Sequence, residues 1–526
     1  MRSHSLRIFG NPEFVRHLRA ELRPARATAV VIIIVVVCIL VGLSCWTSVQ
    51  RNLESARYAA SHFDGFWVAR LQQLEKDKSR DAWLLSYKWL LGIQGVVLTF
   101  WTLLACTQSI SGERERKTWD FQRITRLTPA KMVGGKLLGE PVLAYFTFLV
   151  SLPAGFAAGL LAGVGLVQII EAYVFLATSA LFLGIAGLWV SMLSESRSRG
   201  VSLIGALGIY FLVMASYAMR ETGLPGVAAF SPLTGISSLF GVRPTYYKTD
   251  GSFFGYPVPW LALSLFLEIS CGAWLALMLV RNLKRDYAEI RPLSRSNALA
   301  CVAYVNLVIY ALMRPDPIGI FAAASYLVTI IVIVNAIALL LIGLATLSPY
   351  ERLSVWWRER RDLGLSGYMR EGLPLPWVAL SAAMAYVLLI FGLAVWRRSL
   401  PFNGILLASA AVQFAVLFAF LARDVLFIQW CNLTRLRQPM VKGVLYLCLY
   451  YVAAVIISTV FYWQSQELVN QALALLTPAE AFYPRLNGPH FPSATYVGMA
   501  LQLAIVVVLM VLIAKKLKSA PEVTGR

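Results

Sequence analysis

Residues 27–46 read Ala-Thr-Ala-Val-Val-Ile-Ile-Ile-Val-Val-Val-Cys-Ile-Leu-Val-Gly-Leu-Ser-Cys-Trp, an apolar run without a single charge. As a helix, about 20 such residues cross the hydrocarbon layer of a bilayer. A barrel strand would need only about ten, in alternation. Eleven further stretches fit the same description, at roughly 87–108, 141–164, 168–192, 200–219, 259–280, 297–313, 319–346, 376–396, 403–422, 443–463 and 494–514. The run 297–313 is short and carries Asn306, whereas 319–346 is long enough to tilt. The expected fold is an all-α polytopic membrane protein of about twelve transmembrane helices.

Composition points the same way. Of 526 residues, 58% are hydrophobic and 14% charged, with a mean hydropathy of +0.67. Soluble chains average roughly 45–50% apolar and about 25% charged residues. An ordinary soluble enzyme, a disordered chain and a disulfide scaffold are thereby excluded. Seven cysteines (38, 45, 106, 271, 301, 431, 448) lie in or beside apolar runs without a Cys-x-x-Cys pair, as small buried hydrophobes do. Four scattered histidines (4, 17, 62, 490) do not make a metal site. Residues 41–45 are similar to a lipoprotein cleavage box, but the basic 26 residues before the first span are too long for one, so an uncleaved first span is expected.

The net charge of +20 has two readings, a nucleic-acid partner or the inner face of a membrane, and its distribution decides between them. Twelve spans put both termini on one side, with segments 1–26, 109–140, 193–199, 281–296, 347–375, 423–442 and 515–526. These hold 33 of the 47 Lys and Arg residues and a net charge of +18, leaving +2 elsewhere. The positive-inside rule makes that side cytoplasmic. The charge is spread over seven segments, so no nucleic-acid partner is expected.

Spans 1–6 and 7–12 carry matching loop signatures. After the second span come Glu113-Arg114, with Trp119 and Arg123 at six and ten residues from Glu113; after the eighth come Glu351-Arg352, with Trp357 and Arg361 at the same spacings, 238 residues on. Arg197 and Arg199 recur at the same offset as Arg435 and Arg437. Ser231-Pro232 before the sixth span matches Thr477-Pro478 before the twelfth, at an offset of 246. A duplication with six spans per half is parallel, with a pseudo-twofold along the membrane normal. The expected organisation is a connecting helix at 1–26, a first half at 27–280, a linker at 281–296, a second half at 297–514 and a tail at 515–526.

Residues 11–26 read as a basic amphipathic helix lying on the membrane. Asn11 suits the N-cap, Pro12 the first turn and Glu13 the positive helix start. Phe14, Leu18 and Leu22 share a face, with Arg16, Arg19, Arg23 and Arg26 on others. The loop 109–140 has more order than a solvated charge run requires. It carries Ser111-Gly112-Glu113-Arg114-Glu115-Arg116-Lys117-Thr118-Trp119-Asp120, then Pro129 and Gly134-Gly135-Lys136 leading into the third span.

This loop resembles that of type-2 ABC exporter permeases: an acidic helix ending in Gly-Thr, a Pro-containing turn, and Gly-Lys entering the third span. Glu113, Glu115, Thr118, Pro129, Gly135 and Lys136 match, while Lys117 stands where the family has Gly. The resemblance spans 1–280 and is faint over 281–526, where Trp356 replaces the Thr. It implies that Glu113, Arg114, Glu115, Thr118 and Trp119 couple to an ATPase, with Glu351, Arg352 and Trp357 of loop 347–375 as a second such site. No G-x-x-x-x-G-K-[ST] loop occurs in the chain. The implied protein is therefore a transport subunit, not an enzyme, binding no cofactor itself, with ATP and Mg held by a separate cytoplasmic ABC ATPase subunit in two copies. The implied location is a bacterial plasma membrane, with both termini cytoplasmic and lipid as the other partner.

Within the spans, Glu268, Asn306, Asn335 and Gln413 are candidate pathway residues. An intramembrane carboxylate is costly and marks function or a hydrogen-bonded helix contact. The amides, Gln94 included, have interhelical bonding as their competing use. Gly155, Gly159 and Gly163 suit close helix packing. Two other classes compete with an ABC exporter: a proton-coupled secondary transporter working through Glu268, and an intramembrane lipid-linked glycosyl transferase. For the latter, Asp64, Asp77 and Asp81 in the outer loop lack a recognisable paired spacing.

Overall fold

The first two spans are far longer than a bilayer requires. In the computed structural model, α1 (Pro12–Glu21) is followed by α2 (Pro24–His62) of 39 residues and α3 (Gly65–Glu115) of 51. At 1.5 Å per residue these measure about 58 and about 76 Å, against about 30 Å of hydrocarbon. The segment 47–86, expected as a loop with a short helix, instead continues both helices. The reason lies in its composition: 52–62 and 71–86 contain neither Gly nor Pro and are rich in Ala, Leu, Glu, Lys and Arg. Leu53 and Ala56 are buried on its inner face. Arg57 bridges to Glu75 at 2.7 Å, and the Lys78 ammonium sits 4.9 Å from the Trp46 ring.

The structure describes residues 11–62, 65–124, 127–193, 199–216, 225–233, 251–253, 256–285, 295–312, 320–348, 350–359, 372–395, 404–434, 439–461, 466–482 and 492–518. It divides into two compact units, Met1–Ile290 and Arg291–Arg526, a boundary within the segment 281–296. Among the described residues, eight helices are long and apolar enough to cross a membrane. Four shorter apolar helices, Ala206–Ala215, Asn297–Ala311, Ile331–Ala345 and Lys442–Ala454, fall where spans 5, 7, 8 and 11 are expected. Among the described residues the fold is helical apart from one hairpin, β1 (Gly251–Phe253) with β2 (Tyr256–Val258).

In the first unit α3 is followed by α4 (Trp119–Ile124), α5 (Pro129–Gly139), α6 (Val142–Leu161), α7 (Leu166–Leu193), α8 (Arg199–Ala215) and α9 (Trp260–Asn282). The core is α3 against α7: Tyr87, Leu91 and Leu98 pack on Ile169, Tyr173 and Leu176, with Ala158 of α6 beside them. The two backbones nearly touch, since a Cβ on Gly187 would lie 2.7 Å from the Leu103 carbonyl oxygen. Gly155 and Gly159 turn their bare faces to Tyr173 and Ile169, which is packing. Gln94 ties α3 to α6 by donating to the Ser151 carbonyl at 2.8 Å. The Trp189 indole ties α7 to α9 by donating to the Leu275 carbonyl at 2.7 Å.

The second unit holds α10 (Arg295–Leu312), α11 (Ile320–Ala345), α12 (Tyr350–Glu359), α13 (Leu375–Val395), α14 (Gly404–Asn432), α15 (Pro439–Phe461), α16 (Gln466–Leu476) and α17 (Ser493–Lys518). Its core joins Leu353 and Trp356 of α12 to Ala422 and Leu426 of α14 and to Leu509 and Ile513 of α17. Gly343 of α11 meets Val425 of α14. One boundary differs from expectation. The tenth span was expected to end at residue 422, but α14 runs unbroken to Asn432. Arg423 and Asp424 are therefore buried inside a helix, not in a loop.

Candidate functional site

Residues 11–17 and 109–140 come together in one charged cluster. It begins at the end of α3, where the Lys117 N–H donates to the Arg114 carbonyl and the Thr118 N–H to the Glu113 carbonyl, at 3.0 and 2.9 Å. This is the double closure of a Schellman turn, which places its C′ residue in the left-handed region. That residue is Lys117, with φ of 58°. The position where the resembled family has Gly is thus one where the backbone favours Gly.

The chain then turns through α4 into α5, which Thr128 caps and Pro129 opens. Gly135 and Gly139, one turn apart, leave room for α1: a Cβ on Gly135 would lie 2.8 Å from Glu13 Cβ, and one on Gly139 3.1 Å from His17 Cβ. The Asn11 side chain caps α1 and also donates to the Lys131 carbonyl at 2.7 Å. Sequence reading places α1 on the membrane surface; its docking on α5 becomes visible only in the structure.

Lys136, fully buried, is the centre of the cluster. Its ammonium lies 2.5 Å from Glu113 Oε2 and 3.5 Å from Glu13 Oε1. Arg16 reaches the same two carboxylates at 3.1 and 2.7 Å, and Gln122 donates to Glu113 Oε1 at 2.6 Å. His17 Nε2 stands 3.4 Å from Glu13 Oε1 and 3.7 Å from Glu140 Oε1. Burial pushes the Glu13 carboxyl upward, but the His17 hydrogen bond and the charges of Lys136 and Arg16 outweigh it and hold the group at about 2.

Trp119, expected on a docking surface, is 5% exposed. It packs among Cys106, Ile110, Met132, Leu188 and Leu279, which belong to α3, α5, α7 and α9. Arg114 lies over its ring at 5.8 Å and donates to the Met192 carbonyl at 2.9 Å. Thr118 turns its hydroxyl to the Glu113 carbonyl, and Glu115 is exposed at the end of α3. The outward side of α4 is apolar: Phe121 is 71% exposed and Ile124 80%. Sequence reading passes over these two, although apolar residues three apart in a charged loop are a signal of a covered face.

In the second unit the corresponding loop is built differently. Trp356 of α12 is buried, and Trp357 packs beside it with ring centroids 6.1 Å apart. Arg352 is half-buried. The Glu351 side chain and residues 360–371 lie outside the described residues, as do most of the basic motifs at 196–199 and 434–437.

The intramembrane candidates separate into two kinds. Asn306 and Asn335 donate to one another's Oδ1 at 2.8 and 2.9 Å and to the carbonyls of Val302 and Ile331, both at 2.9 Å. All four amide protons are used, so this pair is a staple between α10 and α11. Gln413 is buried in α14. Glu268 accepts from the Ser179 hydroxyl at 2.7 Å. Its Oε2, like the Ser264 hydroxyl one turn earlier, has no hydrogen-bond partner among the described residues.

The Arg423–Asp424 pair, hidden from a sequence reading that took its charges to end a span, is closed. Arg423 donates to Asp424 Oδ1 from Nε and Nη2 at 2.8 and 2.6 Å. It also donates to the hydroxyls of Tyr450 and Tyr451 at 3.0 and 2.9 Å and to Gln502 Oε1 at 2.8 Å. Those partners hold the end of α16: Tyr450 donates to the Leu476 carbonyl at 2.8 Å and Gln502 to the Leu475 carbonyl at 3.0 Å. All five guanidinium protons are engaged, leaving none for a ligand. Compared with known proteins, the chain matches no family model, no curated protein and no solved structure.

Proposed function

We propose that this chain is the membrane-spanning subunit of an ATP-driven transporter of the type-2 ABC exporter kind. In this reading a separate cytoplasmic ATPase binds ATP and Mg, and the substrate pathway runs between the two halves. The observation that carries the proposal is the two-sidedness of α4. One side is Trp119, sunk among residues of α3, α5, α7 and α9; the other presents Phe121 and Ile124, rimmed by exposed Arg116, Lys117 and Asp120. A push on the apolar side reaches four helices through one indole. The docking face is accordingly Phe121 and Ile124, with Glu113, Arg114, Thr118 and Trp119 transmitting force beneath it.

Twelve spans in two parallel halves complete the reading, with both termini in the cytoplasm of a bacterial cell. Two contacts support the duplication. In the first unit the Ser111 N–H donates to Ser191 Oγ at 2.9 Å; in the second the Ser348 N–H donates to Gln429 Oε1 at 3.0 Å, the acceptors being 238 residues apart and the donors 237. Position 425, 238 residues after Gly187, is also a close helix contact, there with the Val425 side chain seated on Gly343 of α11.

The test is a double substitution, Phe121→Asp with Ile124→Asp. Both side chains are exposed, so the spans stay folded, while an ATPase that copurifies with the wild-type chain is lost. An unchanged ATPase yield would overturn the assignment of α4. The second reading, a proton-coupled transporter, rests on the half-satisfied Glu268. It requires transport in liposomes under a proton gradient without ATPase, abolished by Glu268→Gln.

A further inference from the structure

A cavity of about 640 Å³ opens between α1, the end of α3 and the start of α6. Its α3 wall runs from Trp101, Leu104 and Ala105 through Gln108 and Ser109 to Ser111, Gly112 and Glu113, with Arg116 in the turn that follows. Along that wall the lining changes from apolar to polar to charged, in the direction from the middle of the span to its loop end. Leu143 of α6 widens the apolar part; Glu140 lines the polar part opposite Ser109, and Arg16, Glu21 and Arg116 complete the lining. Such a gradient along a membrane helix matches a molecule oriented as a lipid of that leaflet, tail toward the midplane and head at the loop.

The polar end has unused capacity. Among the described residues, the Arg116 and Gln108 side chains have no hydrogen-bond or ion-pair partner. A guanidinium there fits a phosphodiester. Carboxylates also line the cavity: Glu140, whose Oε1 accepts from Ser109 at 2.8 Å, Glu21, and Glu113, which Lys136 and Arg16 already pair. A purely anionic head would meet these with like charge. A head carrying both phosphate and a primary ammonium would satisfy both signs.

We propose that this cavity is a binding site for a phospholipid with an amine-bearing, zwitterionic headgroup. Its phosphate lies on Arg116 and its ammonium on Glu140, and its upper chains lie along Trp101 and Leu104. The proposal needs only that α3 crosses a bilayer and stands apart from the ATPase reading.

The experiment reconstitutes the full chain in nanodiscs of equimolar phosphatidylethanolamine, phosphatidylglycerol and phosphatidylcholine, then quantifies by mass spectrometry the lipid retained after mild detergent extraction. The expected result is phosphatidylethanolamine enriched roughly tenfold over the other two, the size of one charge-assisted hydrogen bond. Arg116→Ala and the cavity-filling Leu104→Trp each abolish the enrichment at unchanged thermal stability. Glu140→Gln keeps retention but removes the preference for ethanolamine over choline. Retained lipid of bulk composition, enrichment of phosphatidylglycerol, or enrichment insensitive to both Arg116→Ala and Leu104→Trp would overturn the proposal.

Discussion

Each unit buries a cation against carboxylate, but at different places and to different ends. In the first unit Lys136 pairs with Glu113 and Glu13 where α1, α3, α4 and α5 meet, and the loop beside it presents an apolar face. In the second, Arg423 pairs with Asp424 inside α14, and every guanidinium proton is spent on α14, α15 and α17, whose Tyr450 and Gln502 in turn hold α16. The first cluster fixes a loop that stays partly exposed; the second fixes helices to one another. Similar electrostatics thus fix a partly exposed loop, the proposed working surface, in one unit and a frame in the other.

The largest expected effects come from breaking either pair. Asp424→Ala leaves the Arg423 charge uncompensated in the interior and is expected to cost about 3–5 kcal/mol. Thermal unfolding in detergent measures it. Replacing both partners, Arg423→Met with Asp424→Leu, should recover most of that loss. Lys136→Ala should destabilise less than Asp424→Ala, because Arg16 still reaches both Glu13 and Glu113. An apolar exchange of Lys136 and Glu113 together should restore the melting temperature but not ATPase-dependent transport. Equal recovery of function would break the distinction between frame and working surface.

Next comes pH. The Glu13 carboxyl is held at about 2, below its ordinary value of 4.5. Its contribution to the docking of α1 is complete above pH 4.5 and is lost as pH falls from there through about 2. Hydrogen exchange over 12–21 should rise in that window, and Glu13→Gln should remove the dependence. The smallest effect is at Lys117. Its left-handed backbone makes Lys117→Gly stabilising by about 1 kcal/mol, seen as a raised unfolding temperature; among the described residues of the second unit no non-glycine residue has such a backbone.

The apolar runs were legible because twenty residues without a charge leave few alternatives to a membrane helix. Where a charge interrupts a run, hydropathy reads an end. At Arg423 that reading fails, since Asp424 next to it neutralises the interruption and lets the helix continue. The extension of α2 and α3 was missed for the opposite reason: its charges have the look of a loop, while its residue types favour helix. In the loop 109–140 the important residues were legible and their orientation was not. Trp119, expected among the coupling residues, is buried, because spacing alone cannot say which side of a six-residue helix meets the core. The approach of Lys136 to Glu113 joins residues 23 apart across a turn, and that of Asn11 to Lys131 joins residues 120 apart.

That last separation has a consequence for assembly. The seat of α1 is the glycine face of α5, which does not exist when α1 leaves the ribosome. At about 5–20 residues per second, the 120 residues between Asn11 and Lys131 take roughly 6–24 seconds to make. During that interval α1 has only the membrane surface to cover Phe14 and Leu18, and its arginines suit it to wait there. It is made before the helix that seats it and waits for that seat to be synthesised.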